Sequence, residues 1–298
     1  MREFWAIVEL RTKLVSLTSL GLGFILLLKG SQPPVCWGAV VLFAVVLFLL
    51  DMGTTAFNTF FDFWHGIDRR ELNFETDKVL VHQGTPPGAA LVIALALYML
   101  AGVLGLGLVA LRGGVMVLAG GLGMLVGFSY SGGPWPLSGT PWGEVFAGTF
   151  LGGLVIILVY FAGTGNFSPE VLRLSLPSTA MVAALLAVNH TCDREPDQLA
   201  GRRTLAVVLG PLAPWAPFVL GASAWGLSLA LLWRTFTPVS LSLFLVGAVV
   251  AGAGTLSMKR RGFSAKSKGP QMRAMLGQLV LFSLVYALSL LFQAPLPL

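Results

Sequence analysis

VCWGAVVLFAVVLFLLDMGTTAFNTFFDFWHGID, residues 35–68, is the stretch whose reading decides the fold. Positions 35–57 are almost unbroken apolar sequence, longer than the roughly 20 helical residues that cross a bilayer. They end abruptly in NTFFDFWHGID, residues 58–68, which packs one amide and two carboxylates into a single short segment. Hard oxygen ligands at the end of a membrane helix need an explanation.

The rest of the chain supports the membrane reading. Of its 298 residues, 56% are hydrophobic and 11% charged, and the mean hydropathy is +0.83. Soluble domains are about a quarter charged, so the composition predicts an all-α, multi-pass membrane protein. The 36 glycines suit close helix packing in lipid. A net charge of +6 reads as topology rather than as a polyanionic partner, and nucleic-acid binding is excluded on that ground. Cys36 and Cys192 fall at opposite membrane faces, roughly 30 Å apart, which excludes a disulfide. Neither stands in a CxxC or Cys/His metal spacing. His65, His82 and His190 share no ligand spacing and read as loop or capping residues, with a base as the alternative for each. MREFWAIVELRTK at the start lacks a signal-peptide cleavage site and predicts a short interfacial helix with Phe4, Trp5 and Val8 on its apolar side.

Nine apolar stretches are expected to cross the bilayer, near 14–29, 35–57, 88–111, 114–130, 144–163, 171–189, 205–232, 239–256 and 275–293. That count puts the N-terminus and the loops after spans two, four, six and eight on one face. Of the 19 Lys and Arg, only Lys29, Arg112, Arg173 and Arg234 lie on the other. Such a bias predicts that the charged face is cytoplasmic, in an integral cell membrane. Of the 13 acids, only Asp51 and Glu170 lie off that face. Topology requires no acid bias, so the acids are held there for another reason. Residues 1–298 read as one integral-membrane domain with a weak internal echo: Asn58-x3-Asp62 closes span two and Asn189-x3-Asp193 closes span six. A duplicated four-helix unit would place both around a central cavity.

Residues four apart share a helix face, so Asn58 points with Asp62, and Asn189 with Asp193 and Asp197. Gly66 offers a break that folds Asp68 back toward the first pair. Carboxylates and carboxamides are hard donors suited to Mg²⁺, which takes one or two carboxylates plus waters and substrate phosphates. Acids holding Mg²⁺ with arginines alongside attract a diphosphate, and an apolar cavity beneath holds a lipid tail. The combination describes an enzyme that ionises a lipid diphosphate and lets an electron-rich, aromatic acceptor attack the resulting cation. Two other readings stand beside it: solvated Asp/Arg loops, and a transporter coupling ions or protons through the carboxylates.

The same residues carry a resemblance. Across nearly its whole length the chain resembles the UbiA superfamily of membrane aromatic prenyltransferases, and within it the 1,4-dihydroxy-2-naphthoate prenyltransferases of menaquinone synthesis. Asn58, Asp62, Gly66 and Asp68 match the family's first motif. Asn189, Asp193 and Asp197, followed by GRRTLAVVLG, match its second, and YSGGPWPL at 130–137 fits a loop of the menaquinone branch. The chain departs from the pattern at Thr59, where relatives have Asp, and at Cys192, where they have Arg; Arg194 stands as a substitute for the latter. The resemblance implies nine helices around a central, lipid-open cavity. It also implies Mg²⁺ bridging a polyprenyl diphosphate, and decarboxylative prenylation of dihydroxynaphthoate to demethylmenaquinol. Sister branches serve 4-hydroxybenzoate, homogentisate or glyceryl phosphate lipids.

Asn58, Asp62, Asp193 and Asp197 are accordingly expected to hold the metal, and Asn189 to line the pocket. Asp68 is a further ligand or an acceptor-side base, or else caps a turn. Arg202 and Arg203, turned back by Gly201, are expected on the diphosphate, as are Lys78 and Arg11, which could equally meet lipid headgroups. Tyr130 either hydrogen-bonds the diphosphate as a catalytic group or belongs to the interfacial aromatic belt. Asp51 either lines the cavity or satisfies the backbone near Gly53. The basic stretch KRRGFSAKSKGPQMR, 259–273, is expected to touch anionic lipid.

Overall fold

The computed structural model describes residues 2–30, 34–68 and 78–292, with only the backbone at residue 2. Arg69, Arg70, Glu71, Glu75 and Asp77 of the charged face, and segments 31–33 and 293–298, lie outside the described residues. Every regular element among the described residues is helical: α1 (Arg2–Ile7), α2 (Lys13–Lys29), α3 (Trp37–Trp64), α4 (Val79–His82), α5 (Pro87–Arg112), α6 (Val115–Ser131), α7 (Gly143–Ala147), α8 (Val155–Thr164), α9 (Pro169–Cys192), α10 (Arg194–Leu199), α11 (Leu205–Leu209), α12 (Ala216–Leu232), α13 (Pro238–Arg261) and α14 (Lys268–Leu291). Some merge into longer spans. A π-helical stretch, Gly148–Leu154, joins α7 to α8, and a 3₁₀ stretch, Gly210–Trp215, joins α11 to α12.

Eight of these segments are long and apolar enough to cross a membrane. The remaining apolar helix, α6, has 17 residues, so the count of nine expected from sequence rests on it. The helix ends follow local chemistry. Ser168 caps α9 by accepting from the Val171 amide at 3.3 Å, with Pro169 at the first helical position. Thr237 and Ser240 form a capping box at the start of α13. Large exposed apolar side chains such as Val103, Leu106, Leu118, Leu125 and Val249 cover the outside. They form the lipid-facing surface of a multi-pass membrane protein, with each helix satisfying its own backbone.

Lipid provides little hydrophobic drive between helices, so close packing must hold them. Glycines supply it. A Cβ at Gly152 would stand 2.9 Å from the Ser178 carbonyl oxygen, and one at Gly148 2.6 Å from that of Thr179, so the π-helical stretch lies directly on the α9 backbone. Gly23 does the same for α2 on α8, 3.1 Å from the Ile156 oxygen. Tyr286 of α14 donates its hydroxyl to the Leu174 carbonyl of α9 at 2.9 Å in the buried core. Two of the four basic residues off the charged face are absorbed by helix C-termini. Lys29 donates to the Leu290 carbonyl at 2.7 Å, and Arg112 to those of Ala162 and Gly163 at 2.7 Å each. Arg173 pairs with Glu170 at 3.0 Å.

Candidate functional site

The bundle encloses a cavity of about 1160 Å³. Phe43, Val46, Leu47, Leu158, Val182 and Leu185 give it an apolar lower wall, and its other end is rimmed by charge. Asn58, Asp62 and Asp68 line that end together with Asn189, Asp193 and Asp197, so one chamber gathers both groups of acids and amides.

The first group is built by the end of α3. This helix runs seven residues beyond the expected span to Trp64, which keeps Asn58 and Asp62 one turn apart on one face. Gly66 then takes φ of 66°, a left-handed conformation open to glycine. The turn lets the amides of Ile67 and Asp68 both donate to the Asp62 carbonyl, at 2.8 and 3.0 Å. Asp68 is thereby folded back beside Asp62, as Gly66 foretold. The Ser131 hydroxyl donates to Asn58 Oδ1 at 2.5 Å, tying α6 to this corner. Lys78 Nζ bridges Asp68 at 3.5 Å and Glu9 at 2.9 Å. Burial pushes the Glu9 carboxyl up, but Lys78 outweighs it and holds the group below its usual range. Thr59 faces away from the chamber and donates to the Ile7 carbonyl at 3.0 Å, so this departure from the family pattern fastens α1.

The second group closes α9. The Asp193 amide donates to the Asn189 carbonyl at 3.0 Å, and the Asp197 amide to that of Asp193 at 2.8 Å, carrying the turn into α10. Lys268 meets Asp193 at 2.8 Å. Asp197 is 2% exposed and takes Arg202 on one oxygen at 3.0 Å and the Thr204 hydroxyl on the other at 3.2 Å. Its burial still raises the carboxyl above its ordinary value, against the pull of Arg202. Gly201, at φ 73°, turns the chain so that the Arg202 amide reaches the Asp197 carbonyl at 2.9 Å. The same turn separates the two arginines. Arg202 lines the cavity, whereas Arg203 is exposed and outside its lining, with its amide bonded to the Gly139 carbonyl at 2.9 Å. Its placement on the diphosphate is therefore corrected. Arg194 is also not the expected substitute: it spends its guanidinium on the Gly210 carbonyl at 2.6 Å and does not line the chamber.

Arg11 and Tyr130 both line the cavity, Arg11 at an exposed position and Tyr130 half-buried. The sequence left two readings of Asp51, and the structure supports the first: its carboxylate meets side chains rather than the backbone near Gly53. Asp51 lines the chamber, but its oxygens are taken by Lys13 at 2.5 Å and Ser16 at 2.6 Å, while its backbone carbonyl accepts from Thr55 at 2.9 Å. Sequence reasoning missed two features. Lys266, Lys268 and Arg273, read as lipid contacts, fold over the cavity and line it. His190, read as a loop or capping residue, is 3% exposed on the cavity wall, with Nδ1 2.8 Å from Glu144 Oε1. The position of His190, beside Asn189 on a helix that ends in cavity ligands, was the available signal.

The donor set suits a hard divalent cation. The carboxylates of Asp62, Asp68, Asp193 and Asp197 and the carboxamides of Asn58 and Asn189 line one chamber, with Lys78, Arg202 and Lys268 supplying compensating charge. Among the described residues no three His, Cys, Asp or Glu side chains already converge on one point. Mg²⁺ does not require that, because it keeps waters and substrate oxygens in its shell.

Comparison with known proteins gives a consistent result. The UbiA prenyltransferase family profile matches residues 15–286. The 1,4-dihydroxy-2-naphthoate octaprenyltransferase of Bacillus subtilis (strain 168) is 31% identical over 219 residues, 72% of this chain and 65% of that protein. UbiA prenyltransferase domain-containing protein 1 of Gallus gallus is 29% identical over 202 residues, 62% of this chain and 59% of that one. The chain thus spans less than two thirds of the length of these curated relatives. Among solved structures, a UbiA homolog from Archaeoglobus fulgidus bound to GPP and Mg²⁺ shares the fold with a TM-score of 0.65 at 18% identity, covering 97% of this chain and 99% of that one.

Proposed function

The chain belongs to the UbiA prenyltransferase family, and on that premise we propose that it transfers a polyprenyl group from its diphosphate to 1,4-dihydroxy-2-naphthoate, with loss of the carboxylate, giving demethylmenaquinol. The observation that carries this is the single chamber in which both acid and amide groups rim an apolar wall. A substrate that is half lipid and half polyphosphate needs that pairing. The choice of acceptor is supported by the 31% identity to an enzyme named for dihydroxynaphthoate.

Each group has a part. Asn58, Asp62, Asp193 and Asp197 are the proposed Mg²⁺ ligands, with Asp68, steadied by Lys78, as a further oxygen donor. Bound Mg²⁺ supplies the charge neutralisation that makes pyrophosphate a competent leaving group. Arg202, Lys78 and Arg11 bind the diphosphate oxygens, joined by Lys268. Tyr130 donates its hydroxyl to the departing phosphate. The apolar wall holds the tail and excludes water from the allylic cation. The acid-rich rim faces the cytoplasm of the cell membrane, on the strength of the Lys/Arg asymmetry.

The test is prenyl transfer by purified protein with Mg²⁺ and geranylgeranyl diphosphate. The acceptors are 1,4-dihydroxy-2-naphthoate, 4-hydroxybenzoate, homogentisate and geranylgeranylglyceryl phosphate, read by mass spectrometry. Decarboxylated prenyl-naphthoquinol is the expected product. Product from another acceptor alone would move the protein to a sister branch, and no product from any acceptor would overturn the reading.

A further inference from the structure

The proposed reaction has one further requirement, for which the sequence offered Asp68. An aromatic ring attacks an allylic cation best when its hydroxyl gives up a proton, and that proton needs an acceptor. Asp68 and Asp193 are held by Lys78 and Lys268, and Asp197 by Arg202 and Thr204. His190 is differently placed. It lines the chamber next to Asn189, and its Nδ1 is fixed by Glu144 at 2.8 Å. No described residue bonds its Nε2. Glu144 stands behind it, 3% exposed, with its second oxygen without a partner. Ser138, also on the cavity wall and 4% exposed, has a hydroxyl with no partner. Gly143 brings these groups together, since a Cβ there would lie 3.1 Å from His190 Cε1 and 3.7 Å from the Ser138 Cα.

A buried histidine–carboxylate pair is costly if it serves packing alone, because two polar groups lose water for one contact. Here it places an imidazole on the wall of the substrate chamber with its tautomer set from behind. A carboxylate on Nδ1 fixes a proton there, leaves the Nε2 lone pair toward the chamber and stabilises the imidazolium that forms on proton uptake.

Resting on the aromatic-acceptor reading above, we propose that His190 is the catalytic residue that takes the acceptor hydroxyl proton, and that Glu144 is its positioning residue. The bonds balance without an added reactant. The allylic C–O bond breaks with its electron pair leaving on pyrophosphate. The hydroxyl proton passes to His190 Nε2 as the ring carbon bonds to the prenyl carbon and the hydroxyl becomes a ketone. Loss of carbon dioxide from that carbon leaves an enolate, which recovers the proton from Nε2 and restores the aromatic ring. Ser138 hydrogen-bonds the acceptor oxygen during the exchange.

The test compares wild type, His190→Ala, His190→Gln and Glu144→Gln in full-length protein, using hydroxynaphthoate acceptors graded in hydroxyl acidity. His190→Ala is expected to lose about 100-fold in kcat on weakly acidic acceptors. It should approach the wild-type rate on acceptors already ionised at the assay pH, with KM for the prenyl diphosphate unchanged. Imidazole should restore part of its rate on the weakly acidic acceptors. His190→Gln should behave as His190→Ala does, and Glu144→Gln should show a smaller loss that also vanishes on ionised acceptors. A loss equal across all acceptors would overturn the proposal in favour of packing, as would no loss at all. Should His190→Ala fail to fold, Glu144→Gln carries the same comparison. Wild-type transfer serves as the control: its absence would refute the aromatic-acceptor reading rather than the role of His190.

Discussion

Replacing Lys13 by Met tests whether the intramembrane pair beneath the acid rim acts as one unit. The Lys13 ammonium makes three contacts: Asp51 Oδ1 at 2.5 Å, the Asp51 carbonyl at 3.1 Å and Thr55 Oγ1 at 2.7 Å. The two side chains are 7% and 9% exposed. Lys13→Met leaves the Asp51 carboxylate buried with only the Ser16 hydroxyl on it, and stranding a buried charge costs about 3–5 kcal/mol. Removing both charges, in Lys13→Met/Asp51→Leu, should recover most of that loss, because apolar replacement of a buried pair is often neutral or stabilising. The cycle is read by unfolding in mixed micelles titrated with SDS. The expected coupling is at least about 3 kcal/mol, the loss that the double variant recovers, at or above the upper end for residues in direct contact. A double variant whose loss equals the sum of the two single losses would refute the argument, since the two charges would then be solvated separately.

Asp62→Ala and Asp193→Ala should each abolish turnover while leaving the protein folded and monodisperse in detergent; near-normal activity in either would sink the ligand assignment. EDTA should silence prenyl transfer and added Mg²⁺ restore it, measured as product formed before and after re-addition. The Glu9 carboxyl sits below its ordinary value of 4.5 because Lys78 outweighs burial. Its stabilisation is therefore full above that value and fades as pH falls through the lower folded value. Melting of wild type and Glu9→Gln across pH should show a gap at pH 7 that closes in acid; a gap that persists in acid would assign the loss to packing.

Legibility from sequence tracked how local the physics was. The apolar runs, the acids at the ends of spans two and six and the foldback at Gly66 depend on residues within a few turns of one another, and all were readable. Hydropathy ended span two at residue 57, whereas α3 continues to Trp64 because Phe57, Phe60, Phe61 and Phe63 keep the helix apolar around its acids. Arg202 and Arg203 looked equivalent as neighbours. Only the hydrogen bonds made by the turn at Gly201 decide that the first enters the chamber and the second leaves it. Partnerships between distant positions left no trace in the pattern. Lys13 and Asp51 are 38 positions apart, so a buried lysine looked like one more topological charge. Lys268 reaches Asp193 from the last helix, and a run of basic residues reads the same whether it meets lipid or substrate.

The tie between Lys29 and the Leu290 carbonyl joins the first long helix to the last, 261 positions apart. It sets an order on biosynthesis. A ribosome feeding this chain into the membrane delivers Asn58 and Asp62 early, and Asn189 and Asp193 later. Lys268, which holds Asp193, and the carbonyl that Lys29 needs arrive together in α14. Until that helix docks, α2 lacks this tie at its end and the acid rim lacks one of its counter-charges. The nascent protein thus completes its ring and its polar chamber in a single late event, and a product cut short before α14 lacks both.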